Sequence, residues 1–214
     1  MCFSAGASFA GATILAGSGA ASLQKSSRRT RFFALIPLLF AVQQIIEGAQ
    51  WIVLERGEAN MCLGYGFLFF AFLLWPIYIP FSIFQMERDA SRRRVMRLWL
   101  YLGILVTCVM IGGLLWYPLS ITAMTNHIEY YIAIPGPMLL SALYTLAVCM
   151  PGLLSSYKYV RIFAGLVFLF SILSGAIYME AYVSTWCFFA AILSIFVAFG
   201  VQEAENDVLK KKRS

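Results

Sequence analysis

The sequence predicts an all-α protein: a polytopic membrane bundle of seven transmembrane helices, N-terminus outside and C-terminus cytoplasmic. Two observations carry that expectation. Of the 214 residues, 61% are hydrophobic and 12% are charged, whereas an ordinary soluble domain carries about 25% charged residues. The apolar residues also gather in runs of about 20, the length that crosses a bilayer as a helix. Spanning segments must be helical because a lone strand leaves its backbone groups unpaired in lipid. The apolar/polar alternation of a lipid-facing barrel is absent.

The first run, residues 2–23, is rich in Gly, Ala and Ser. Small residues let helices approach closely in lipid, which places this span in the bundle interior. Its positive charge follows the apolar core instead of preceding it, so it reads as a retained span and not a leader. The second and third runs are 32–54 and 62–86. Pro76 and Pro80 are expected to kink the third, with the freed carbonyls taken up by neighbours. Runs 98–118, 131–156, 160–179 and 184–202 complete the seven. Residues 1–203 then form the membrane domain, and 204–214 a basic cytoplasmic tail.

Orientation follows from Lys and Arg, which collect on the cytoplasmic side of a span. Lys25, Arg28, Arg29 and Arg31 follow the first run, and Arg88, Arg92, Arg93, Arg94 and Arg97 the third. Lys158 and Arg161 follow the fifth, and Lys210, Lys211, Lys212 and Arg213 close the chain. Of the 16 Lys and Arg residues, only Arg56 falls elsewhere. The net charge of +6 therefore implies the lipid bilayer, with anionic headgroups at the inner face, as partner. No aromatic-basic module accompanies it, so no nucleic acid is expected.

One stretch breaks the apolar pattern. In "QQIIEGAQW", Gln43, Glu47 and Gln50 share a helix face at i, i+4, i+7, with Gln44 and Trp51 on an adjacent stripe. Glu47 is the one acid deep in a run, and an ionisable group there is costly and tends to mark a site. At 1.5 Å per residue from Arg31 it sits about 24 Å up, in the outer half. Cys2, Cys62, His127, Ser184 and Cys187 all fall at the same outer end. The expectation is an outward-facing polar pocket holding Cys2, Glu47, His127 and Cys187. Gln43, Gln44, Trp51, Tyr131 and Ser184 would serve as further ligand-binding residues. Cys108 and Cys149 read as small hydrophobes, and in an oxidising exterior two of Cys2, Cys62 and Cys187 would pair.

The segments "MCFSAGASF", "QQIIEGAQW", "HIEYY", "YTLAVCMPGLLSS" and "STWCFFAAILS" resemble a family of uncharacterised bacterial integral membrane proteins that begin Met-Cys-Phe-Ser. The similarity extends along almost the whole chain. It implies a bacterial inner membrane and marks Cys2, Ser4, Glu47, His127, Tyr131, Cys149 and Cys187 as motif positions. That family often has His-Gln where this chain has Gln43-Gln44, which removes a second imidazole. The resemblance implies no particular activity.

Several functional readings stay open at this level. Cys2, His127 and Cys187 with Glu47 offer S, N, S and O donors, a set that suits zinc or another late transition metal; a small ligand could occupy the same pocket. A membrane hydrolase or acyltransferase could use Cys2, Glu47 and His127 as nucleophile, base or orienting acid. Seven-span hydrolases of the ceramidase and adiponectin-receptor type are similar in size, but they use several histidines and this chain has one. A small-solute transporter would need a polar path below Glu47, where only scattered Ser, Thr and Gln occur. A structural subunit of a larger complex is also compatible. A retinal protein is excluded, since no run contains a lysine.

Overall fold

The computed structural model describes residues 4–124, 127–177 and 182–213, except the side chains of residues 177, 184 and 210–213. Cys2, Glu180 and the Ser184 side chain therefore lie outside the described residues. Helices α1 (Ala5–Gln24), α2 (Arg31–Ala34), α3 (Ile36–Leu54), α4 (Met61–Leu68), α5 (Trp75–Met86) and α6 (Ala90–Trp116) come first. Strands β1 (Ser120–Ala123) and β2 (Ile128–Tyr131) precede α7 (Pro137–Leu153), α8 (Lys158–Ile177), α9 (Tyr182–Leu193) and α10 (Phe196–Arg213). By length and composition, four helical stretches can cross a membrane: Arg31–Leu54, Met61–Met86, Ala90–Trp116 and Lys158–Ala176. A fifth results if Thr185–Leu193 and Phe196–Leu209, bent by 41° at their junction, act as one.

Four differences from the sequence expectation have physical reasons. Helix α6 starts at Ala90, eight residues before the expected 98, because Asp89 caps it by accepting from Arg92 N at 2.8 Å. Its arginines belong to the first turns of the helix, where charge hid them from a hydropathy reading. The fifth run does not start at 131. Residues up to Tyr131 pair as an antiparallel hairpin, Ser120 opposite Tyr131, and Pro135, Gly136 (φ 67°) and Pro137 delay the helix to 137. Residues 204–213 continue α10. Helix α1 is peripheral and not interior: it lays only the stripe Ser8, Ala12, Leu15, Gly19 and Ser22 inward, while Ile14 is 61% exposed. Its small residues still serve close approach, since a side chain at Gly19 would collide with Leu38 of α3.

Between α4 and α5 the chain forms a π-helical turn, Phe69–Leu74, where proline kinks were expected. Trp75 N bonds Phe70 O in that register, so Pro76, lacking an N–H, would leave Ala71 O without its backbone donor. The Tyr144 hydroxyl of α7 donates to that carbonyl at 2.6 Å. Pro80 likewise frees Pro76 O, and α6 approaches there so closely that a Cβ on Gly103 would overlap that oxygen. The expected rescue of a freed carbonyl by a neighbouring helix is therefore observed at Ala71 O.

The turns bearing most of the Arg and Lys residues meet at one end of the bundle, held by carboxylates on α10 and on the α5–α6 turn. Glu203 accepts from Lys158 N at 2.9 Å and Tyr159 N at 3.0 Å, capping α8. Glu205 accepts from the Thr30 hydroxyl at 2.6 Å and Ser27 N at 3.1 Å. Glu87, fully buried, accepts from Ser156 N (2.7 Å), Ser156 Oγ (2.8 Å), Arg88 N (2.9 Å) and Asp89 N (3.1 Å). Arg92 donates to Leu154 O at 2.6 Å, and Arg161 to Ser155 O at 2.9 Å. At the other end the β1–β2 hairpin folds over α4, with Tyr130 stacked on Phe67 at 4.5 Å.

Three outcomes are expected. Tyr144→Phe should lower the melting temperature in detergent, because an unpaired buried carbonyl costs about 1–3 kcal/mol; an unchanged midpoint would contradict the rescue of Ala71 O. Gly103→Ala should destabilise strongly. Gly112→Ala, whose added methyl meets nothing, should be neutral or mildly stabilising, since Ala exceeds Gly by about 1 kcal/mol in a helix. Equal effects at the two sites would refute the close approach at Gly103. Burial works to raise the Glu87 pKa, but the hydrogen bonds from Ser156, Asp89 and Arg88 hold it below the ordinary carboxylate value. Its contribution is thus complete above that ordinary value and lost as pH falls through the lowered folded one. Between about pH 5 and about pH 3, the wild-type melting temperature should fall more steeply than that of Glu87→Gln, and parallel curves would count against this role.

Candidate functional site

Helix α3 fixes the site because its two faces differ in chemistry. Val42, Ile45 and Ile52 are 46%, 50% and 37% exposed. Gln43, Gln44, Glu47, Gln50 and Trp51 are turned inward and buried. Glu47 has no exposed surface, as its cost in an apolar setting requires. Gln44 Nε2 donates to Glu47 Oε2 at 3.2 Å. Gln50 turns to the α3–α4 loop: with its amide oriented to match donors and acceptors, it donates to Asn60 O at 3.0 Å and accepts from Asn60 N at 3.3 Å. The inward stripe is thus partly a structural clamp, with Gln50 holding a loop and Gln44 holding the acid.

Gln43 has a different role. Its Oε1 accepts from Trp75 Nε1 of α5 at 2.8 Å. Its Nε2, buried, meets no oxygen or nitrogen acceptor among the described residues. The amide lies beside the Cys187 thiol of α9, which Glu47 also reaches electrostatically. Trp75 and Cys187 in turn line a cavity of about 30 Å³, walled chiefly by Phe40, Tyr144, Val148, Phe163 and Trp186. Phe40 stacks on Trp75 at 4.0 Å, and Tyr144 meets Trp186 edge-on at 5.0 Å. Polar atoms at the α3 side therefore border an apolar, aromatic chamber.

Beyond the cavity, Thr145 of α7, Ser171 of α8 and Tyr182 of α9 form a closed triangle of hydroxyls. Ser171–Tyr182 is 2.7 Å, Thr145–Ser171 3.0 Å and Thr145–Tyr182 3.1 Å. Thr145 also bonds back to Ser141 O at 2.9 Å, the local bond its helical position predicts. The links to Ser171 and Tyr182 join positions far apart in sequence, and no periodicity signals them.

The expected pocket is brought together only in part. Glu47 and Cys187 lie near each other, with Gln43 and Gln44 beside them. Cys2 and the Ser184 side chain fall outside the described residues. His127 sits at the hairpin turn, its carbonyl closing the turn with Met124 N at 2.9 Å; its Nε2 is buried without a hydrogen-bond partner among the described residues. Trp51 is 6% exposed, whereas Tyr131 is 57% exposed on β2. Cys62, Cys108, Cys149 and Cys187 are free thiols. Among the described residues, no three His, Cys, Asp or Glu side chains form a group able to hold a metal. Sequence reasoning missed Trp75, Tyr144 and Trp186. An indole next to a proline, as in Trp75, or next to a cysteine, as in Trp186, carries no distinctive spacing, and only the bundle packing unites them.

No curated protein and no solved structure matches the chain. A family model described as a family of unknown function, DUF6629, matches residues 1–212, and the chain belongs to that family.

Proposed function

We propose that the protein crosses a bacterial inner membrane seven times, N-terminus outside, and holds a small-ligand site in the middle of its bundle. The seven crossings are α1, α2–α3, α4–α5, α6, α7, α8 and α9–α10. Helices α1 and α7 alone are too short or too weakly apolar to qualify by themselves. Their support is packing: α1 runs along α3, and α7 lies between α6 and α8. The carboxylate bonds that join the 26–30, 87–89 and 154–159 turns at one end also fit the alternation that seven crossings require. Reporter fusions after residue 57 and after residue 89 test it: alkaline phosphatase should be active at the first and inactive at the second, and the reverse would overturn the orientation.

One observation carries the ligand reading: the buried Gln43–Glu47 face of α3 adjoins the aromatic cavity through Trp75 and Cys187. Among the described residues the Gln43 amide N–H has only the Cys187 thiol beside it, a weak acceptor, and concave apolar sites with a few convergent polar groups are the usual form of ligand pockets. Aromatic walls favour an uncharged molecule over a bare dication, whose desolvation they would not offset. The reading is therefore a small molecule and not zinc. Mass spectrometry of organic extracts from protein purified in mild detergent should find one near-stoichiometric non-detergent compound. Val148→Trp, which fills the cavity, should lose it. Equal recovery from both proteins, or from neither, would contradict the site.

A further inference from the structure

We infer that Arg94 and Arg97 of α6 hold the phosphate of an anionic diacyl phospholipid, one acyl chain of which lies along the exposed stripe Leu98, Tyr101, Leu105 and Val109. The inference goes beyond the ligand site inside the bundle and needs only that α6 cross the membrane. It starts from how charge is spent at the basic end. Glu87 accepts from Ser156, Arg88 N and Asp89 N, and Asp89 from Arg92 N. Glu203 accepts from Lys158 N and Tyr159 N, and Glu205 from Thr30 and Ser27. These carboxylates satisfy backbone and hydroxyl donors, and none of these bonds is to a guanidinium. The arginines of the first turns of α6 then differ. Arg92 donates to Leu154 O, and the Arg93 guanidinium lies over the Phe84 ring at 4.4 Å. Arg94 and Arg97, both exposed, have no side-chain hydrogen bond, ion pair or ring contact among the described residues.

The two free guanidinia also stand at the end of an apolar track. Positions 94, 97, 98, 101 and 105 recur at the three- and four-residue spacing that shares one helix face. Leu98, Tyr101 and Leu105 are exposed on it, and Val109 extends it by a turn. From Leu98 to Val109 the helix rises about 16 Å, close to the depth of about 15 Å that one leaflet contributes to the hydrocarbon core. Arg94 and Arg97 therefore sit at headgroup level, with the length of an acyl chain beyond them. Side chains three apart on a helix are neighbours, so both guanidinia can reach one phosphate, which arginine binds bidentately. A zwitterionic headgroup would bring an ammonium among the arginines of α6, where like charges repel. A nucleic acid or an acidic protein would meet the arginines from the water and leave the apolar stripe uncovered. Charge and stripe together fit an anionic lipid.

The test is native mass spectrometry of the full-length protein in mild detergent, given equal amounts of phosphatidylglycerol and phosphatidylethanolamine with matched chains. The wild type should retain the phosphatidylglycerol adduct about fivefold or more over the other, since each arginine near an anionic headgroup adds to binding. Arg94→Gln with Arg97→Gln should abolish that preference. Lys25→Gln with Arg28→Gln removes the same charge from the same end of the bundle and should keep it. An excess of soluble glycerol phosphate should not displace the lipid. Equal adducts of the two lipids on the wild type would overturn the inference, and this arm needs no variant, so misfolding cannot obscure it. Equal losses in the two double variants would mean diffuse attraction and no site at Arg94 and Arg97. Displacement by glycerol phosphate would make it a phosphate site that does not use the acyl track, which also overturns the lipid.

Discussion

Inside an apolar bundle no bulk water can take up a loose hydrogen bond, so each polar group must find its partner within the chain or on a ligand. Much of the architecture answers that constraint. The π turn before Pro76 survives because Tyr144 reaches across from α7 to Ala71 O. Ser4 caps α1 and Asp89 caps α6 from their own side chains. Glu203 and Glu205 of α10 satisfy amides at the starts of other segments. These bonds tie sequence-distant turns together and fix the order in which helices pack.

The same constraint gives the α3 face its meaning. Gln50 and Gln44 find partners, the first in the Asn60 backbone and the second in Glu47. Gln43 accepts from Trp75, and among the described residues its amide N–H has only the Cys187 thiol beside it. The difference separates a clamp from a binding group on one helix. It also falls where an aromatic chamber begins, so polarity and hollow space coincide.

The helical class and the inward stripe of α3 were legible because both are carried by composition and period. An acid in an apolar run at i+4 from a glutamine states which face is buried. The hairpin was not legible: residues 120–131 are short, and Pro135 and Pro137 that end it look in sequence like a helix start. Helix α6 began inside what reads as a charged loop, since Arg92 to Arg97 signal topology and helix propensity at once. The bonds of Glu203 and Glu205 were not legible because their partners, Lys158 N and Ser27 N, lie far off in sequence. The aromatic chamber is a property of packing alone, and the pairing of Gln43 with Trp75 crosses two helices without any spacing rule.

The central claim is that buried Gln43 lies beside Cys187, at the edge of the aromatic chamber. Intramolecular bridging by dibromobimane, which becomes fluorescent on linking two nearby thiols, tests it most directly. In the Gln43→Cys variant the account predicts a fluorescent link between positions 43 and 187, identified by peptide mapping. The Val42→Cys variant, whose position faces outward, should give none. A link at 42 and none at 43 would mean that α3 is turned the other way, and the site would not exist.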